Sequence, residues 1–441
     1  APKITPIVTN RDSQSEFLSE IQTSQVQPIE PVFVDYKKDM SQFEAQPGID
    51  VLYKKNETND IFTLIYVFNT GTENDPALNL AFNYLSYLGT DKMTAEEIAS
   101  KMYDIACSFY MNAGANQSSI QITGLSENMG KAMEIVEGLI AGAKPDEAIL
   151  ENCKADMLKS RADAKLNQSR CFGALQRYLF YGGDFIRRTT LTDPALQALT
   201  SEQLLAKIGG LMGKQHEVLY YGPQKEAEVK SALAEHHKVA ADLQPLEKKF
   251  STLLPTDANK VVLAQYDAKQ LYYLQFSNRG EKFDVAADPE ITLYNEYFGG
   301  GMNTIVFQEM REARGLAYTA WATLATPSNA NGDYSYYAFI ATQNDKMQKA
   351  VEAFDDIINN MPESEKAFGI AKEALVSRLR TERTVKDGVL WSYLRARDLG
   401  LDAPRDKQIF EKVQSMTLDD VKAAQQKWVK GRKYVYGILG D

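Results

Sequence analysis

Apolar positions along this chain keep two rhythms, and each rhythm occurs twice. "SSIQITGL" (118–125) is apolar at alternate positions, as a half-buried strand is, and "GKAMEIVEGLI" (130–140) then recurs at helical spacing. Far downstream "DYSYYAFIAT" (333–342) and "QKAVEAFDDII" (348–358) repeat the pair in the same order. "LTSEQLLAKIGGLMGKQHEVLYYGP" (199–223) matches "MTLDDVKAAQQKWVKGRKYVYGILGD" (416–441), with Thr200 and Thr417 lying 217 positions apart. Each of these threonines opens a helix in capping-box style, Thr200 with Gln203 and Thr417 with Asp420, and a strand follows. Upstream, "YVFNTGTEN" (66–74) answers "LQFSNRGEK" (274–282).

Three anchors in one order at nearly one spacing predict an internal duplication. The expected fold class is α+β: two homologous α/β domains with mixed, largely antiparallel sheets flanked by helices. Their expected bounds are 32–235 and 259–441, joined by a charged, proline-bearing linker over 236–258. Residues 1–31 are polar and punctuated by proline, and read as an N-terminal arm or linker with one short helix.

Composition narrows the function. The chain has 441 residues, 44% hydrophobic, enough for more than one core. Its net charge of −10 disfavours a nucleic-acid surface, and no apolar run approaches the roughly 20 residues that span a bilayer. Cys107, Cys153 and Cys171 show no CxxC spacing and read as ordinary thiols. No Ser/His/Asp order and no carboxylate cluster stands out.

The most unusual stretch is "FGGGMNTIVFQEMREARGLAYTAW" (298–321). Gly299, Gly300 and Gly301 lead into an expected helix over 302–314, Gly315 suits a left-handed cap, and a strand is expected over 316–325. The glycines lack the lysine of a phosphate loop, so they read as a turn with close backbone packing, as a place for a peptide to approach, or as both. Arg311 ends the helix and Tyr318 begins the strand, and a reversal between them brings both side chains to one sheet edge. A guanidinium fork and a phenol suit peptide carbonyl oxygens.

These residues closely resemble the C-terminal domain signature of the pitrilysin and insulinase zinc metallopeptidases, which include the processing peptidases. The resemblance runs on through 331–358 and takes in the duplicated architecture, which is similar to one half of such an enzyme's clam shell. It implies that Arg311 and Tyr318 bind substrate and support the transition state. Family members that cleave peptides carry His-x-x-Glu-His on the first helix of the first domain, shortly before Gly-Thr. Here "PALNLAFNYLSYLGT" (76–90) puts Leu80, Asn83 and Tyr84 at those positions.

Leucine has no lone pair for zinc, and an amide is no general base at neutral pH. Leu78, Phe82 and Leu85 form a core-facing stripe on the same helix. His216, His236 and His237 are the only histidines, and they read as solvated side chains of a strand approach and the linker.

No cofactor or metal is therefore expected in this chain. The expected function is the non-catalytic half of a zinc metallopeptidase, forming the substrate chamber and binding peptide while a zinc-bearing partner half supplies metal and base. The alternative is a purely structural or assembly subunit with no part in proteolysis. The family's frequent export in bacteria points to the periplasm or cell envelope.

Overall fold

The structure, a computed structural model, describes residues 15–25 and 27–440, so residues 1–14 and 26 of the expected arm lie outside the described residues. The described part of the arm holds a helix, Glu16–Thr23. Strands β1 (Ser41–Gln46), β2 (Ile49–Lys55), β3 (Ile61–Phe68), β4 (Cys107–Ala113), β5 (Ser118–Leu125) and β6 (His216–Gly222) form one sheet in the order β1-β2-β6-β3-β5-β4. Strands β7 (Lys260–Gln265), β8 (Gln270–Ser277), β9 (Thr319–Ala325), β10 (Ser335–Gln343) and β11 (Val435–Gly440) form a second, in the order β7-β11-β8-β10-β9.

The two orders are one order. Strands β2, β6, β3, β5 and β4 correspond to β7, β11, β8, β10 and β9, and among the described residues β1 is the only addition. In both sheets one pair is parallel, β2 with β6 and β7 with β11, and the remaining pairs are antiparallel. This is the mixed, largely antiparallel pair of sheets that the duplicated rhythm implies. The capping boxes at Thr200 and Thr417 both form, and they start helices Ser201–Leu211 and Leu418–Ala424.

Labelled in chain order, the helices that matter below are α1 (Leu78–Leu85), α2 (Met129–Gly142), α3 (Gln168–Thr189), α4 (Glu226–His236), α5 (Met347–Asn359) and α6 (Gly388–Asp398). Helices α1 and α2 pack their apolar sides on the first sheet, as α5 does on the second. The opposite faces are covered by exchange between the two units. Helix α3 lays Phe172, Leu175 and Leu179 against Leu274 and Leu439 of the second sheet. Helix α6 lays Val389, Leu390 and Leu394 against Leu52, Ile65 and Leu219 of the first.

Each sheet therefore buries both faces, and each unit completes the other's core. A buried apolar side chain contributes about 1.5–3 kcal/mol, so this exchange binds the two units far more strongly than their polar contacts do. Ion pairs finish the seam: Arg397 meets Glu217 at 2.9 Å and Lys248 meets Asp398 at 2.6 Å.

Candidate functional site

On α1 the stripe Leu78, Phe82 and Leu85 is buried, as its spacing requires. Leu80 and Tyr84 are buried with it, at 1% and 0% exposure. The Tyr84 hydroxyl accepts the Asp146 backbone N–H at 2.8 Å and lies 2.8 Å from the Ser201 Oγ. Two of the three degenerate positions are thus locked into the core.

Asn83 faces outward. It lines a hollow of about 270 Å³ with Asn79, Tyr87, Tyr110 and Asn112, between α1 and β4. Carboxamides and phenols are poor zinc ligands and hold no base at neutral pH, so these residues do not fit the metal that the fold family carries. Among the described residues no group of three or more His, Cys, Asp or Glu side chains is placed to hold a metal ion.

The helix after the glycines begins later than its apolar pattern suggests. Residues 302–304 form a turn, Ile305–Phe307 is α-helical, and Gln308–Ala313 continues as a π-helix. Thr304 explains the late start: its extended backbone (ψ 158°) ends the turn, and the Gln308 N–H returns to its carbonyl at 3.0 Å. Gly315 adopts φ 57°, the left-handed conformation that ends the helix and reverses the chain into β9. The strand starts at Thr319, three residues later than its alternation predicts.

That reversal sets Arg311 over Tyr318. The guanidinium carbon lies 5.1 Å from the Tyr318 ring centroid and 5.0 Å from that of Phe307, so the cation is held between two aromatic faces. Tyr318 is 68% exposed. Arg311 is exposed too, and among the described residues its one close acid is its neighbour Glu312 at 3.6 Å. Phe307 escaped the sequence reading, although its place four residues before Arg311, on the same helix face, is the signal that finds it.

The glycines answer to two neighbours. A Cβ on Gly299 would stand 2.9 Å from the Ala322 carbonyl oxygen of β9, which is closer than a carbon can approach. Next to it the Asn295 carboxamide accepts the Leu324 N–H and donates to the Leu324 carbonyl, both at 2.9 Å, in the way a neighbouring strand would. Residues 295–299 therefore cover the outer edge of β9. Gly300 and Gly301 are exposed and lead to the exposed side chain of Met302. At the far end of β9, Phe180, Tyr181, Phe250, Asp333 and Tyr337 line a hollow of about 490 Å³.

The histidines overturn one expectation. His216 and His237 are 4% and 5% exposed, not solvated. The His216 Nδ1 faces the Lys214 carbonyl at 2.7 Å, the two Nε2 atoms lie 2.8 Å apart, and the His237 Nδ1 meets the Glu137 carboxylate at 2.5 Å. His216 lies on β6 against Tyr66 and Phe68, and His237 follows α4, which packs on the α2 helix that carries Glu137, so long-range packing buries the pair. Burial first, then the neighbouring His237, pulls the His216 imidazole down to about 4. The Tyr66 ring packs tilted against His237, with the centroids 4.0 Å apart, and burial, then Glu137, pushes its hydroxyl well up.

Comparison with known proteins finds likenesses in sequence and in fold. Residues 215–375 match the family described as the peptidase M16 inactive domain. An uncharacterized zinc protease of Streptomyces coelicolor is 22% identical over 266 residues, covering 56% of this chain and 56% of that protein. The chain thus matches just over half the length of that relative. A peptidase M16 inactive domain from Pseudomonas fluorescens has the same fold, with a TM-score of 0.71 at 18% identity over 91% of this chain and 97% of that one. The periplasmic protease PqqL of Escherichia coli superposes with a TM-score of 0.70 at 14% identity, over 99% of this chain and 49% of its own. The resemblance to the zinc metallopeptidases, in the form of their inactive half, holds in sequence and in fold.

Proposed function

We propose that this chain is the non-catalytic half of a pitrilysin-type zinc metallopeptidase, and that it binds extended peptide for a partner half that carries the zinc. The observation that carries the proposal is the Arg311 and Tyr318 pair. Two exposed side chains are fixed in one relation by a left-handed glycine and an aromatic floor, while Leu80 and Tyr84 of the degenerate motif are packed as core. A fold kept only for architecture gains nothing from a cation held in the open.

In the proposed complex the partner's zinc would polarise the scissile carbonyl and activate water. This chain's own residues hold the substrate. Arg311 donates from a rigid fork to peptide carbonyl oxygens, Tyr318 adds a hydroxyl, and Gly300 and Gly301 admit a backbone without side-chain collision. Donors fixed before the substrate arrives cost little reorganisation and favour the charge that develops on the carbonyl oxygen. The match to about half of the Escherichia coli protein supports the division of labour. That protein's description as periplasmic supports the same compartment here.

Metal analysis of the purified chain tests the assignment. The proposal expects well under one zinc per chain after dialysis, and no peptide cleavage. One tightly held zinc per chain, removed by a chelator together with a cleavage activity, would end it.

A further inference from the structure

Because the two units repeat one topology, each sheet edge can be compared with its counterpart. In the first sheet β2 is closed on its outer side by β1, with Phe43 opposite Val51 and Ser41 opposite Tyr53. The Phe43 ring packs 6.4 Å from that of Tyr53, and α4 lies over the same corner with Val229 and Leu233 buried. Val51 and Tyr53 are consequently 0% and 7% exposed.

In the second sheet the equivalent strand is β7. Val51 pairs with Val218 and Tyr53 with Tyr220, whereas Val261 pairs with Tyr436 and Leu263 with Ile438. Val218 and Tyr220 face the core helices, as Tyr436 and Ile438 do, so Val261 and Leu263 are the counterparts of Val51 and Tyr53. They are 60% and 71% exposed. Among the described residues nothing plays the part of β1 or α4 for this edge.

The backbone is open at the same positions. Lys260 donates to the Tyr434 carbonyl at 3.0 Å and Tyr266 to that of Gly440 at 3.1 Å, so the even-numbered residues of β7 bond β11. The N–H and C=O groups of Val261, Leu263 and Gln265 therefore point to the outer edge. Exposed aliphatic side chains beside unpaired backbone groups make an edge that accepts a strand. At the other end of the sheet, Asn295 and Gly299 already cover β9.

The segment that could have doubled back as β1 does is used elsewhere. Just before β7, the Leu254 N–H bonds the Phe180 carbonyl at 2.7 Å and the Thr256 N–H bonds that of Asn278 at 2.8 Å. Those bonds carry the linker along α3 and β8, away from the outer side of β7. Among the described residues no segment supplies the missing strand.

We propose that β7 is a docking edge, completed by an antiparallel strand of the partner half with apolar residues over Val261 and Leu263 and polar residues outward. The pattern is that of β1, where Phe43 and Ala45 pack inward while Gln42 and Glu44 point out. The choice of partner rests on the proposed function; the open edge does not.

Hydrogen exchange on the full chain tests both parts. A synthetic peptide copying residues 39–48, added at millimolar concentration, is expected to slow exchange at Val261, Leu263 and Gln265 by roughly tenfold or more. No slowing there overturns the docking edge. The zinc-bearing half that binds the chain is expected to protect the same amides. Leu263→Lys, with an unchanged melting curve, is expected to weaken that complex by roughly tenfold or more. Protection by the peptide but not by a bound zinc-bearing half overturns the assigned occupant, as does a homodimer of this chain abolished by Leu263→Lys. If no zinc-bearing half binds at all, the proposed function fails, and the peptide still reports on the edge.

Discussion

Arg311 lies over the ring of Tyr318 with its guanidinium carbon 5.1 Å from the ring centroid, and both side chains face solvent. The pair buries little, so it contributes little to folding. Arg311→Ala is expected to shift the melting temperature by about 2 °C or less while lowering kcat/KM of the reconstituted peptidase by about 10- to 100-fold. Tyr318→Phe keeps the ring under the guanidinium and removes only the hydroxyl, and a smaller loss is expected. Thermal melts beside steady-state kinetics check both.

Gly299 and Gly301 are expected to separate under the same substitution. Gly299→Ala forces a Cβ to 2.9 Å from the Ala322 carbonyl oxygen and should cost about 1–3 kcal/mol. Gly301→Ala meets only the Thr304 Cγ2 at 3.6 Å, an ordinary contact, and should change stability by about 0.5 kcal/mol or less. Urea titrations of the two variants read the difference.

Much of this was legible in the sequence, for a physical reason. Caps at Thr200 and Thr417, strand alternation and helix periodicity are local, and they carried the duplication and the sheet class. The reversal at Gly315 was legible because a left-handed residue leaves its mark as glycine. What was missed is long-range. The exchange of α3 and α6 places one unit's helix on the other's sheet, and no periodicity records which sheet a helix will cover. His216 and His237 looked solvated because the residues around them are polar, and only long-range packing against β3 and Glu137 buries them.

Acid should weaken the fold through that cluster. The folded His216 value, about 4, lies below its ordinary 6.5, so the unfolded chain takes up the proton first. The stability this group contributes is complete above pH 6.5 and is lost as pH falls toward 4, amounting to about 3 kcal/mol in full. Denaturation midpoints followed across that window should fall in the wild type, and fall less in His216→Gln.

Tyr84 tests the structural role of the degenerate motif. Tyr84→Phe removes the partner of the Asp146 N–H and of the Ser201 hydroxyl in a fully buried place, at an expected cost of about 1–3 kcal/mol. Denaturant titration measures the loss, and metal analysis should show the zinc content of the chain unchanged.

The central claim is that this half grips peptide and a neighbour cuts it. The most direct measurement is cleavage of a fluorogenic peptide by the chain alone, by a zinc-bearing half alone, and by the two mixed. The account predicts turnover that needs both chains, is stopped by a chelator, and drops when the added chain carries Arg311→Ala with Tyr318→Phe. Full activity of the zinc-bearing half alone, or a mixture indifferent to those two substitutions, would contradict it.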